Sequence, residues 1–149
     1  MSSKTDQSLN YPFLLLTHLV CADLEIHNKE LNHLQILAGK KGINNETLRE
    51  KEKILTQDES LLSMEIVAEK ISPQQQNPTM GDLLLMAFAD GYFSPLERQM
   101  LEQVREIWNW SSEKLENFIQ SANEFQEAQE NYFTTLHQTT KLEGRLWND

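Results

Sequence analysis

Two aspartates in this chain are each followed by a glutamate seven positions later: Asp23 by Glu30, and Asp90 by Glu97. An alanine precedes the aspartate in both pairs, and each glutamate stands in the first turn of a helix-like segment. Carboxylates held close together repel one another unless they are protonated or bind a cation. We therefore interpret these four residues as the ligands of a candidate divalent-cation site.

The type of ligand limits the type of ion. A site built from oxygen ligands suits Ca²⁺, Mg²⁺ or Mn²⁺, and a histidine ligand would also admit Zn²⁺. Glu25 is a candidate additional oxygen ligand, and His27 or His18 could supply a nitrogen.

The same acids also have an interpretation that needs no metal. Glu97 is the third residue after Ser94, which is the spacing of a capping box, and Asp90 could simply end its helix. Glu30 stands in a first turn, where a negative charge is favoured by roughly 0.3–1 kcal/mol. The residues alone leave the cation site and the capping interpretation both open.

Motifs typical of catalysis are missing from the sequence. It contains no His-Glu-x-x-His, no glycine-rich phosphate loop and no nucleophile elbow. Glu30 and His33 match the Glu-x-x-His of di-iron bundles once, but the second copy needed for such a site is absent. The single cysteine, Cys21, lies in an apolar stretch and is interpreted as a small hydrophobic residue. We predict that the chain is not an enzyme.

Charge and hydropathy restrict the class of partner. The 149 residues carry a formal net charge of −10, and the lysines and arginines form no basic stripe, so nucleic acid is excluded as a partner. An acidic surface attracts cations or proteins with a basic surface. No apolar run approaches the ~20 residues of a membrane span, which predicts no membrane insertion. A lone cysteine fits a reducing compartment, and we predict a cytoplasmic protein.

Apolar residues recur at helical spacing along most of the chain, and glycine and proline are few. This predicts an all-α, single-domain bundle of about seven helices within residues 10–138, with a flexible N-terminus at 1–9 and a tail at 139–149. The first helix, about 10–23, is apolar on most faces and should be central. Residues 72–78 contain prolines at 73 and 78 and no apolar residue, so they are predicted to form a linker. Thr79 and Asp82 are predicted to form a capping box that opens the next helix.

A shift of 67 positions superimposes two parts of the chain without a gap. Ala22-Asp23 then lies on Ala89-Asp90, Glu30 on Glu97, and Leu34 on Leu101. We interpret this as an internal pseudo-twofold duplication of a helix-loop-helix unit, with the first repeat at about 14–55 and the second at about 79–122.

The second copy carries a family resemblance. Residues 89–97 read Ala-Asp-Gly-Tyr-Phe-Ser-Pro-Leu-Glu, which resembles the Ala-Asp-Gly signature, with its helix-starting glutamate, of the tellurite-resistance TerB family. The segment from Ala22 to Glu30 resembles a degenerate first copy in which Leu24 replaces the glycine. The resemblance implies an all-helical, non-enzymatic domain linked to tellurite and general stress resistance. It also implies metal binding by the paired acids, here Asp23, Glu30, Asp90 and Glu97.

Overall fold

The computed structural model describes residues 9–22, 28–56, 62–88 and 93–129, and these residues contain helices but no strand. The all-α prediction is confirmed for this part of the chain. The helices are α1 (Tyr11–Val20), α2 (Asn28–Lys41), α3 (Asn45–Thr56), α4 (Met64–Glu69), α5 (Pro73–Ala87), α6 (Pro95–Ile107) and α7 (112–129). The predicted flexible N-terminus, apart from its last residue, and the predicted tail lie outside the described residues.

Helix α1 is the centre of the fold, as its apolar composition predicts. It packs against α2, α3, α4 and α5, and seven of its ten residues are buried. The Asn10 side chain caps it by accepting a hydrogen bond from the Phe13 N–H at 3.0 Å. Thr17 is the one buried polar residue of α1, and its hydroxyl donates to the Phe13 carbonyl at 3.0 Å. The Thr17 hydroxyl is therefore hydrogen-bonded although it is buried.

The end of α6 is joined to α4 through a tryptophan. Trp108 is 7% exposed, and its indole Nε1–H donates to the Ala68 carbonyl at 2.9 Å. Ala68 is itself completely buried. A hydrogen bond in such surroundings is costly to lose, because the indole N–H and the carbonyl would both remain without water. It therefore fixes the distance between the two helices at this point.

Helices α2 and α6 end in the same backbone conformation. Gly42 has φ 60° and Asn109 has φ 58°, and each follows directly after the last turn. The next residue then donates its N–H back into the helix, from Ile43 to Ala38 at 3.1 Å and from Trp110 to Arg105 at 3.0 Å. Positive φ at this position is a common helix ending, and glycine and asparagine tolerate it best.

Equivalent helix limits recur 67 positions apart in the described residues. Helix α1 ends at Val20 and α5 at Ala87, while α2 begins at Asn28 and α6 at Pro95. Helices α3 and α7 begin at positions 45 and 112. The residues with positive φ, 42 and 109, have the same separation.

The segment predicted to be a linker is helical instead. Ser72 is the N-cap of α5, and Pro73 occupies its first turn, where a proline costs nothing because its missing N–H would have no partner. Pro78 lies inside the helix, so the predicted capping box at Thr79 and Asp82 does not start α5. The hydrogen bond from the Trp110 indole to the Gln76 side chain, 3.2 Å long, holds this turn against the chain after α6.

Replacing Pro78 by alanine should stabilise the protein. Pro78 is exposed inside α5, where proline is about 3 kcal/mol less favourable than alanine. We expect the free energy of unfolding, measured by urea denaturation, to rise by about 1–3 kcal/mol. Pro73→Ala is the matched control and should change stability little, because Pro73 is in the first turn. Equal effects of the two substitutions would contradict a helical 73–78 segment.

Candidate carboxylate site

Glu30 is buried although it is an acid at the start of a helix. It lies in the first turn of α2 and is 1% exposed, and Leu34, one turn later, is also 1% exposed. This face of α2 therefore points into the protein, towards the central helix α1 with which α2 packs. Burial raises the pKa of the Cys21 thiol, just beyond α1, and the negative charge of Glu30 raises it further.

Glu97 occupies the corresponding place in α6. It is also 1% exposed, and its Oε1 accepts a hydrogen bond from the Ser94 backbone N–H at 3.0 Å. The Ser94 hydroxyl accepts in return from the Glu97 N–H at 3.1 Å. The predicted capping box is therefore confirmed. One turn later, Leu101 is completely buried, as Leu34 is in α2.

The burial of both carboxylates is not explained by the helix dipole. A first-turn acid gains that interaction at an exposed position, as Glu113 does in α7. Taking a carboxylate out of water costs several kcal/mol unless hydrogen bonds, an opposite charge or a cation replace its hydration. Two acids at corresponding places are nevertheless almost completely buried, and at Glu97 the Ser94 N–H replaces part of the lost hydration.

Four of the predicted ligands fall in segments next to these helices. Asp23, Glu25, His27 and Asp90 lie outside the described residues, so the two glutamates are the members of the predicted set that can be placed. Within the described segments, no group of three or more His, Cys, Asp or Glu side chains is arranged to hold a metal ion. A complete site would therefore need residues from the segments 23–27 and 89–92.

His18 is engaged with the backbone rather than with an acid. Its Nε2 lies 2.8 Å from the Leu62 carbonyl oxygen and donates to it, which leaves only Nδ1 as a potential metal ligand. Burial lowers the pKa of His18 from its usual 6.5, and this effect outweighs the hydrogen bond to Leu62 and the nearby Glu65 carboxylate, which raise it. The neutral imidazole is favoured in the folded protein.

The surroundings of Cys21 make it unreactive. Its thiol is directed at the Ile54 carbonyl, 3.7 Å away, and the residue is half-buried rather than part of the innermost core. Burial, followed by the Glu30 charge, raises the pKa of the thiol, so the nucleophilic thiolate is disfavoured. This agrees with its interpretation as a small hydrophobic residue.

One feature near these residues was not predicted from the sequence. A cavity of about 260 Å³ lies beside His18, between α1, α4 and α6, with Met64 and Met100 in its wall. Sequence reasoning assigned both methionines to helices and their apolar faces, because periodicity shows which residues turn inward but not where helices leave a gap. The signal available in the sequence was Leu96, a large apolar residue directly before Glu97, and the structure shows it to be exposed.

No protein-family model matches this chain, and no curated protein or solved structure is significantly similar to it. Separately, none of the helices in the described part of the chain has both the length and the apolar character needed to cross a membrane.

The lowered pKa of His18 predicts how stability depends on pH. Because the folded protein binds a proton less readily than the unfolded chain, the free energy of unfolding should fall as the pH drops from 6.5 through the folded pKa. His18→Gln keeps an N–H donor for the Leu62 carbonyl but does not titrate. Urea unfolding between about pH 5 and 7 should show a smaller loss for the variant than for the wild type. Parallel curves would contradict the lowered pKa.

The Glu30 carboxylate should lower the reactivity of Cys21 further than burial alone does. Glu30→Gln removes a negative charge that disfavours the thiolate, so the pKa of Cys21 should fall and alkylation by iodoacetamide should begin at a lower pH. Mass spectrometry after timed labelling measures the rate. Glu113→Gln removes an equal charge at an exposed position of α7 and should leave the profile unchanged. An unchanged profile for Glu30→Gln would show that Glu30 does not act on the thiol.

Proposed function

We propose that this chain is a non-enzymatic, TerB-like helical domain that binds a divalent cation through the acids of two equivalent units. The proposed ligands are Asp23, Glu30, Asp90 and Glu97. The observation that carries the proposal is the burial of Glu30 and Glu97, each 1% exposed, in the first turns of helices that begin 67 positions apart. Packing around such a carboxylate limits its motion and the access of solvent, which orients it as a ligand.

The proposal includes an internal duplication related by a pseudo-twofold axis. It is supported by the recurrence of helix limits, of positive-φ endings and of the glutamate positions at one constant separation. Helix α1 also packs directly against α5, its proposed counterpart. Contact between a helix and its own counterpart is what an axis passing between them produces.

A cation would compensate the charge of such a site. The aspartates immediately follow Ala22 and Ala89, so each belongs to the connection that leads to a helix bearing a buried glutamate. If the two connections meet, four negative groups share one volume, and binding Ca²⁺, Mg²⁺ or Mn²⁺ lowers their repulsion. Glu25 and His27 are additional proposed ligands, and His27 would favour Zn²⁺.

The biological role is proposed from the resemblance of residues 89–97 to the TerB signature. We propose a part in tellurite or general stress resistance, in which cation binding orders a surface for a protein partner. The net charge of −10 favours a partner with a basic surface. The proposed location is the cytoplasm.

A second candidate function is a helical interaction scaffold whose acids only cap helices. The capping box between Ser94 and Glu97 favours it, because both hydrogen bonds form without a metal. The position that corresponds to Ser94 in the first unit is His27, which lacks the short hydroxyl used by a capping box. Capping therefore accounts for Glu97 better than for Glu30, and for this reason we favour the cation site.

Thermal melting of the metal-free protein with added Ca²⁺, Mg²⁺, Mn²⁺ or Zn²⁺ tests the proposal. A cation that binds only the native state stabilises it by about 2.7 kcal/mol at a hundredfold excess over its Kd, so the Tm should rise. Asp90→Asn and Glu30→Gln should abolish the shift. Glu113→Gln should retain it, because this acid is exposed in the first turn of α7.

The scaffold alternative predicts a different result in the same experiment. None of the four cations would raise the Tm, and Asp90→Asn would lower stability by about 1 kcal/mol whether or not metal is present. Glu30→Gln separates the two further. If carboxylates repel one another in the empty site, this substitution should stabilise the metal-free protein while removing its response to cations.

A further inference from the structure

The cavity beside His18 lies between three helices. Its apolar wall is formed by Ala22, Met64, Leu96 and Met100, and the Glu65 carboxylate lies at its edge. Leu96 is 40% exposed although it is a large apolar residue, whereas Met100 is 6% exposed and forms the deeper part. The cavity therefore offers an apolar interior that is reached from the surface.

The size of the cavity indicates what it can hold. Its volume of about 260 Å³ is below the ~300–1,000 Å³ of sites that enclose drug-sized ligands or cofactors. It is suited to one large side chain projecting from a partner. Methionine side chains adapt their shape to such an occupant, because they are unbranched and polarizable.

The α6 wall gives the cavity the form of a short groove along the helix. Leu96, Gln99, Met100 and Gln103 line the cavity at positions i, i+3, i+4 and i+7, which form a single stripe along the helix. Helix α4 contributes Met64 and the exposed Glu65. A stripe of this type between two helices is the arrangement that receives an amphipathic helix.

The charge around the cavity favours a basic occupant. None of the described residues lining the cavity is a lysine or arginine, and Glu65 makes none of the ion pairs formed in the described part of the chain. A second copy of this chain, with a net charge of −10, would be repelled, as would an anionic lipid surface. A basic partner brings a Lys or Arg to Glu65 while its apolar residue leaves water.

We propose that this cavity is the docking site for a basic, amphipathic helical segment of a partner protein, which inserts one large apolar side chain between Met64, Leu96 and Met100. This deepens the proposal of a basic protein partner by locating its binding surface. It does not depend on the cation site, because none of the four proposed carboxylate ligands lines the cavity.

The test uses a fluorescein-labelled synthetic amphipathic helix of leucine and lysine, together with the same peptide carrying glutamate at every lysine position. Fluorescence anisotropy should show binding of the lysine peptide and not of the glutamate peptide. Leu96→Gln should weaken the binding of the lysine peptide by about tenfold or more, as expected for contact with a buried anchor. Ile36→Gln, at a residue of α2 that is 57% exposed, should leave it unchanged.

A charge-reversal pair separates docking from general attraction to an acidic protein. Glu65→Lys should weaken binding of the lysine peptide by about tenfold, whereas Glu113→Lys, the same change of charge on α7, should have little effect. Equal effects of these two variants, equal effects of Leu96→Gln and Ile36→Gln, or no binding of the lysine peptide would overturn the proposal.

Two further measurements exclude the other occupants. Sedimentation that shows a dimer disrupted by Leu96→Gln would assign the cavity to a second copy. Leu96-dependent binding to vesicles of phosphatidylglycerol would assign it to a lipid surface. A protein that is monomeric and does not bind these vesicles supports the peptide site. The peptide assay is run on metal-free protein. A negative result in it therefore contradicts the docking site without affecting the thermal-melting test of the cation site.

Discussion

Helix α1 can be stable only if other helices cover it on nearly every side. Six of its ten residues are large apolar side chains that are at most 1% exposed: Phe13, Leu14, Leu15, Leu16, Leu19 and Val20. Together they leave almost no face of the helix for solvent. Exposing them to water would cost about 1.5–3 kcal/mol of free energy for each large apolar side chain. Helices α2, α3, α4 and α5 are placed by this requirement, and α6 reaches the same core through its contact with α4.

The buried glutamates are a consequence of how two helices begin beside this core. A helix whose first turn faces inward must carry whatever residue stands at that position into the interior, and both α2 and α6 carry an acid there. At Glu97 the backbone N–H of the N-cap residue Ser94 supplies a hydrogen bond to the carboxylate. The negative charge of Glu30 adds to the effect of burial in raising the pKa of the Cys21 thiol. An acid at the start of α2 therefore interacts electrostatically with a residue just beyond the end of α1.

Features set by neighbouring residues were predictable, while those set by distant contacts were not. The capping box of Ser94 and Glu97 and the glycine ending at Gly42 depend on local chemistry, and both are present. The start of α5 was mispredicted because prolines at 73 and 78 were interpreted as breaks, whereas the first stands where a helix accepts it. For the site, the glutamate positions were predicted but their nearly complete burial was not, since burial depends on packing between helices far apart in the chain. The predicted ligands Asp23 and Asp90 lie outside the described residues.

The hydrogen bond from the Trp108 indole to the Ala68 carbonyl has a consequence for recognition. It joins the helices that form two walls of the cavity, and Trp108 also packs on Trp110 with ring centroids 5.4 Å apart. Moving α4 away from α6 at this point would require breaking a buried hydrogen bond. The groove is therefore preorganised, so little conformational entropy is lost when it is filled. The same rigidity imposes selectivity by shape, because an oversized anchor cannot gain entry by spreading the walls.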